Sequence, residues 1–543
     1  MASQPVRIFA EQAGRPVVMG RRGAVSSGHP LASLAGLEIL QRGGNAVDAA
    51  VAVAAALNVV EPHMSGLGGD LFALVYEAST GRVYAVNGTG PAPRTATLEQ
   101  FAQGIPERGP LSASVPGALS GWIVMLERWG RLDLASVLGP AIRLAAEGFP
   151  VSHNLAAYLQ AYQPLLSQFD TSARIFLPGG EVPRPGQVLI QRDLARTLEL
   201  LARDGHEAFY RGPVGREIAS ACTAAGGLLD EGSLIAFRAE VVEPLSVSYR
   251  GYQVFAPPPN SSAHVLLQEL LMFSCFEPVH YRPLTAELIH LMVEIKKLAF
   301  ADREAYNGDP RFTGPLPEFL LSPEYAQQRV ALIDPEHACA EVMAGTEQDG
   351  DTTYFAVADR EGNLVSVTAS INMAFGSGFV AGSTGILLNN RMTYWHLDPG
   401  HPNALEPGKR VRHTISPALV LSNRWALAIG TPGSDGQVQT IFQVLVHVLD
   451  YGFPLQPAIE LPRWRSFARG YESNWPHGER DELQVEGRMP NQTIEGLQAR
   501  GHRVVRLGKW GPIGSCQAVL VDRAAGVFQA AADPRSDAYA LAW

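Results

Sequence analysis

The chain reads as an α+β protein, and three stretches carry that reading. Thr352 to Ala358 (TTYFAVA) alternates like a strand, Asp359 to Asn363 (DREGN) makes a polar turn, and Leu364 to Asn372 (LVSVTASIN) returns as a second strand. Ala46 to Asn58 (AVDAAVAVAAALN) is apolar on every side, which predicts a buried central helix. Val411 to Leu421 and Arg424 to Ile429 alternate like strands ahead of a helix that starts near Gln437.

The other elements follow in chain order. His29 to Leu40 is predicted helical, ended by Gly43 and Gly44, with Asn45 capping the central helix. Glu61 to Asp70 (EPHMSGLGGD) is a glycine-rich loop leading into a strand, Leu71 to Tyr76. A phosphate cradle would open a helix and carry Gly-Lys-Ser/Thr, and this loop does neither. Arg82 to Asn87 is a further strand and Gly88 to Pro93 a loop. Ala118 to Trp129 is an amphipathic helix after Ser114-Val115-Pro116-Gly117, and another helix ends at Gly148. Helical patterns fill Ser152 to Gly232, with a loop at Pro183 to Gln187. Tyr249 to Phe255 reads as one strand before the rigid turn Pro257 to Ser262. Leu284 to Tyr306 is a helix whose charges suit surface ion pairs, and Cys339 to Asp351 is polar and irregular.

Composition bounds the function. At 543 residues the chain can bury a large core, and length alone suggests three or four domains. Apolar content of 46%, charged content of 18% and a net charge of -10 indicate a globular protein and argue against nucleic acid or an anionic membrane as partner. The N-terminus has no apolar leader segment and no run is long enough to span a membrane, so a cytoplasmic location is expected. The four cysteines, Cys222, Cys275, Cys339 and Cys516, have no paired spacing and fit reduced structural thiols. There is neither a Gly-x-Ser-x-Gly elbow nor a His-Glu-x-x-His metal motif.

The chemistry gathers at the hairpin. A turn centred on Glu361 pairs Asp359 with Asn363 and puts Thr352 opposite Ser370; a slip of one residue would turn every side chain over. On the returning strand Val365, Val367, Ala369 and Ile371 share one face, while Ser366, Thr368, Ser370 and Asn372 share the other. Small uncharged polar groups of this kind suit a pocket wall as well as a solvent face. Thr352 follows Gln348-Asp349-Gly350-Asp351, a polar stretch open to backbone cleavage. A threonine at a new N-terminus brings its own base, an α-amine of pKa about 7.7 to 8.0. Cleavage between Asp351 and Thr352 would therefore make a catalyst; without it, Thr352 is an ordinary β-branched strand residue. Gly430 to Gly436 is a turn whose amides can face a developing oxyanion, each worth roughly 3 kcal/mol of barrier.

The run DTTYFAVADREGNLVSVTASINMAFGSGFVAGSTGILLNN resembles the start of the small subunit of the γ-glutamyltransferase family, N-terminal-nucleophile hydrolases whose precursors cut themselves before a threonine. GGNAVDAAVAVAAALNVVEPHMSGLGGD is similar to the family's large-subunit signature, which more often has a third glycine where this chain has Asp70. LGPAIRLAAEGFPV, LMVEIKKLAFADREAY and the closing DPRSD are similar too, so the resemblance runs from about Gly23 to the end. It implies one four-layer αββα sandwich in place of several domains, built from a large fragment, 23–351, and a small fragment, 352–543, behind an N-terminal extension, 1–22. It also implies Thr352 as nucleophile, Ser370 contacting it, Asn372 lining the acyl pocket, and the amides of Gly433 and Ser434 as oxyanion donors. Ser434 replaces a family glycine and so restricts φ. No metal or cofactor is called for.

Family pockets hold a γ-glutamyl donor's α-carboxylate with an arginine and two adjacent serines, and its α-amine with an acid. The matching positions here are Thr89, His413, Thr414 and Tyr394, with Arg391 at the commonly glutamine position. An ammonium beside Arg391 without an acid is disfavoured, so the resemblance implies an acyl group that ends in a carboxylate, as in oxamate or glutaryl amides. Met392 to Lys409 is shorter than in lidded members, which favours water as acceptor. Two alternatives stay open: a glutathione hydrolase or γ-glutamyltransferase proper, and an uncut, non-catalytic binding protein of the same fold. The expected partners are a small-molecule amide and the chain's own fragments, paired as a heterodimer that can itself dimerise.

Overall fold

The strands Asp351–Asp359 and Leu364–Asn372 form the middle of a seven-stranded antiparallel sheet in the computed structural model, which describes residues 14–339, 351–467, 473–477 and 480–543. Gly23–Ser27 and then Tyr539–Ala542 flank the hairpin on one side. Asp70–Glu77, Arg82–Gly88 and Glu240–Val242 extend the sheet on the other. A second seven-stranded sheet runs Val18–Gly20, Val527–Ala532, Gln517–Asp522, Trp425–Gly430, Ala418–Leu421, Tyr252–Ala256, Leu245–Tyr249. Each sheet takes strands from before residue 340 and after residue 350, so the two halves of the chain are interleaved, in place of the separate domains that length suggests.

Three cores separate four layers. On the hairpin sheet Val365, Val367, Ala369 and Ile371, with Phe355 and Val357, pack on helices that include Ala46–Val60, every residue of which is buried. Asn45 and Asp48 close a reciprocal cap at the start of that helix, which satisfies amides that would otherwise be buried unpaired. Between the sheets lie mainly small side chains, among them Ala356, Ala358, Ala426, Ala428 and Ala530. Gly430 fits the same close approach, since a Cβ there would stand 2.2 Å from the ring of Tyr354. The outer face of the second sheet is covered by His264–Phe273, Ala286–Tyr306 and Gly436–Leu449. Each fully buried Leu, Ile, Val or Phe in these cores contributes about 1.5–3 kcal/mol. The fold is the α+β, αββα sandwich.

Two expected strands differ. Tyr249 to Phe255 is not one strand but the turn of a hairpin, Leu245–Tyr249 with Tyr252–Ala256, because Arg250 and Gly251 both take positive φ, 51° and 84°. Val411 to Leu421 is a strand only over Ala418–Leu421. Its first part leaves the sheet and bonds a neighbouring loop, the His413 amide donating to Asn260 O and the Ser262 amide to His413 O, both at 2.7 Å. Part of the expected N-terminal extension, Val18–Gly20, is an edge strand of the second sheet. The rest of it up to residue 13 lies outside the described residues, as do Gln348, Asp349 and Gly350 of the expected cleavage stretch. All four cysteines are free, Cys222 and Cys516 buried and Cys275 and Cys339 exposed. Among the described residues no helix is long and apolar enough to cross a membrane.

Candidate active site

The hairpin register places the threonine. Asn363 O accepts from the Asp359 amide, Thr353 opposes Ala369 and Tyr354 opposes Thr368, the pairing that a turn centred on Glu361 demands. Between Asp351 and Thr353 the register shifts, so that Asp351 opposes Asn372 and Thr352 sits in the irregularity. Irregularities of this kind re-aim a side chain out of the regular ladder. Thr352 is buried, and its Oγ1 donates to Ser370 Oγ at 3.3 Å. Next to it Thr353 Oγ1 donates to Glu61 Oε2 at 2.8 Å.

Behind Ser370 lies a charged network. Its Oγ accepts from the Asn372 amide at 2.8 Å and from Arg391 Nη2 at 3.0 Å. Arg391 Nη1 reaches Asn372 Oδ1 at 3.3 Å, and Nε reaches Asp70 Oδ2 at 3.4 Å. Asn372 ends its strand at φ 82°, a conformation asparagine tolerates better than most residues, and its Nδ2 holds Asn390 O and Thr393 Oγ1. Asp70 also accepts from His413 Nε2 at 3.2 Å and from the Gly90 amide at 2.9 Å. Burial, reinforced by Arg391 nearby, lowers the His413 pKa to about 4, so its ring is neutral at pH 7. The expected arginine without an acid is thus corrected: Arg391 has a buried carboxylate beside it. Asp70 was not among the site residues expected from the sequence, and the only signal was an acid closing a glycine-rich loop.

The cleft that Thr352 lines is also bordered by the turn that holds Gly433 and Ser434. Ser434 takes φ 48° and Gly433 φ 121°. A left-handed serine costs about 1–2 kcal/mol, and here its Oγ is tied to Tyr394 OH at 3.2 Å. Tyr394 OH also lies 3.5 Å from Thr414 Oγ1, and its ring stands 4.9 Å below the Arg391 guanidinium. Among the described residues neither the Gly433 nor the Ser434 amide donates a hydrogen bond, so both donors are available. Gly433 and Thr352 line one cleft of about 310 Å³, together with Glu61, Tyr158 and Arg465. Thr89 lies in a different network, its hydroxyl donating to Asn87 Oδ1 at 2.6 Å and accepting from Asn260 Nδ2 at 3.2 Å.

A buried threonine hydroxyl, a hydroxyl partner oriented by an arginine, and a cleft shared with the Gly433 turn can together support acyl transfer. Residues 32–543 match the family model for gamma-glutamyltranspeptidase. The chain belongs to the γ-glutamyltranspeptidase family. One similar member is the glutathione hydrolase-like YwrD proenzyme of Bacillus subtilis, 39% identical over 96% of this chain and 99% of the relative. Another is the oxamate amidohydrolase proenzyme of Klebsiella pneumoniae, 36% identical over 95% and 97%. Among solved structures the cephalosporin acylase from Bacillus halodurans superposes with a TM-score of 0.88 at 38% identity, covering 97% of each chain. This γ-glutamyltranspeptidase-family member is accordingly an enzyme of the N-terminal-nucleophile hydrolase and transferase type.

Proposed function

We propose that this enzyme cuts itself between Asp351 and Thr352 and then hydrolyses an amide whose acyl group carries a carboxylate. Cleavage frees the Thr352 amine, which takes the proton of Thr352 Oγ1 as the oxygen attacks the amide carbonyl. The tetrahedral oxyanion rests on the Gly433 and Ser434 amides, the amine leaves protonated, and water releases the acyl group from the threonyl ester. Ser370 and Arg391 orient the nucleophile. The observation that carries this reading is the Thr352 Oγ1 contact to Ser370 Oγ at 3.3 Å, with Arg391 Nη2 3.0 Å from the same oxygen.

For the donor, Arg391 spends three of its five N–H groups on Asp70, Asn372 and Ser370, which among the described residues leaves one on each terminal nitrogen for a carboxylate. The oxamate amidohydrolase among the relatives points the same way. Cut fragments would stay together as a heterodimer, because Gly23–Ser27 is hydrogen-bonded between Asp351–Asp359 and Tyr539–Ala542. A second reading, glutathione hydrolysis, is favoured by the glutathione hydrolase-like relative.

Denaturing intact mass spectrometry tests the first step, and fragments 1–351 and 352–543 are expected. Turnover of oxamate, a glutaryl amide and glutathione by the cut protein tests the second. A single uncut chain, or turnover of glutathione alone, overturns the corresponding part.

A further inference from the structure

Away from Thr352, four side chains converge on one point. Glu304, on the helix Ala286–Tyr306, has its Oε1 3.2 Å from His396 Nε2, 3.1 Å from His401 Nε2 and 3.3 Å from His477 Nε2. The Glu304 oxygens and the Nε2 atoms of His396 and His401 are buried, and among the described residues no hydrogen bond of good geometry joins the carboxylate to either ring. The spacing is that of a coordination sphere. Ligands at zinc–nitrogen and zinc–oxygen bond lengths in a tetrahedral site stand about 3.3 Å apart.

Proton positions sort the three rings. His477 Nδ1 lies 3.1 Å from Asn474 O, which can only accept, so Nδ1 carries a proton, and in the neutral ring Nε2 turns a lone pair toward the carboxylate. Two lone pairs at that distance repel unless positive charge lies between them. An imidazole ligand is held in this way, with its other N–H on a backbone carbonyl. His401 has the opposite tautomer, since its Nδ1 accepts the Asn403 amide at 3.0 Å, so its Nε2–H faces Glu304 as a donor. Arg412 Nη1 lies 2.7 Å from Glu304 Oε2, which leaves Oε1 to face the rings.

We propose that Glu304 Oε1, His396 Nε2 and His477 Nε2, which lie within 4.8 Å of one another, bind a divalent transition-metal ion such as Zn²⁺, with His401 orienting the carboxylate. The ion is a clamp. It joins the helix Ala286–Tyr306, which precedes the proposed cleavage point, to two segments that follow it. His396 is two residues beyond Tyr394, and the Trp475 amide donates to Thr393 O at 2.9 Å, so the clamped segments back the pocket wall. The cluster of His290, Glu294 and His502 differs, because both nitrogens of His290 are occupied at 2.8 Å, by His502 Nε2 and Asp334 O.

The test uses the full chain, stripped with a chelator, dialysed, and titrated with Zn²⁺ alone by calorimetry, with metal content and melting temperature measured alongside. One zinc per chain and a raised melting temperature are expected. Glu304→Gln and His477→Ala should each weaken binding by more than about 100-fold, and His401→Gln by about 10–100-fold, the range for losing an outer partner. His290→Gln should bind as the parent does. Glu304→Gln, nearly isosteric, carries the test if His477→Ala does not fold. No zinc binding by the parent, undiminished binding by Glu304→Gln, or loss only in His290→Gln overturns the proposal.

Discussion

Asp70 offers the sharpest test of the buried network. Its carboxylate is fully buried and faces Arg391, which is 1% exposed, at 3.4 Å, while His413 Nε2 and the Gly90 amide complete its shell. Asp70→Asn keeps the shape and an acceptor but removes the charge, so Arg391 is left buried without its counter-ion. Breaking a buried pair from one side costs about 3–5 kcal/mol, whereas replacing both partners by neutral groups of similar size is often nearly neutral. Asp70→Asn should therefore lose about 3–5 kcal/mol of unfolding free energy, and Asp70→Asn with Arg391→Met should recover at least half of it. The measurement is urea unfolding followed by circular dichroism, on a Thr352→Ala background so that every variant is compared as the same single polypeptide. A loss below about 1 kcal/mol for the single substitution, or no recovery in the double, would refute the argument that Asp70 neutralises Arg391.

Other consequences are separately measurable. Thr352→Ala should fold and stay uncut while Thr352→Ser is cut, as read by intact mass; normal cutting of the alanine variant removes Thr352 from the nucleophile role. Ser370→Ala should still process but turn over roughly 10-fold more slowly, the cost of one net hydrogen bond at the nucleophile, and unchanged kcat counts against that contact. Arg391→Ala should raise KM for oxamate and glutaryl amides far more than for a neutral amide, and equal losses across donors would show that the guanidinium does not bind the carboxylate. Burial lowers the pKa of His63 and His264 to about 3 and of His413 and His447 to about 4. The unfolded chain, with histidines near 6.5, binds more protons over this window, so stability falls as pH drops from about 6.5 towards 4. A flat unfolding midpoint between pH 7 and pH 5 would contradict this.

Local chemistry made much of the fold legible in advance. The uniformly apolar Ala46–Val60 announces burial because no face of it can meet water, and Asn45 marks its start because its side chain can cap the free amides. The hairpin's polar turn set the register that brings Ser370 to Thr352, since side chains on a strand alternate with period two. Where a local pattern was ambiguous the reading slipped, as at Arg250 and Gly251, whose positive φ values turn one expected strand into two.

The sequence by itself determined the family, because the similar runs lie along the chain from about Gly23 to its end, and through that resemblance it implied the αββα class and the candidate nucleophile; periodicity alone reached only the separate helices and strands and the hairpin. Only the tertiary structure decided what surrounds Arg391. Asp70 meets Arg391 and His413 from 321 and 343 positions away in the chain, and a charge pair formed by sheet packing leaves no periodic trace. The same holds for Glu304 with His396, His401 and His477, which look like scattered histidines along the chain. They converge because a helix over the second sheet and the loop behind the pocket are packed against each other, and packing of distant elements is set by the whole core and not by any local stretch.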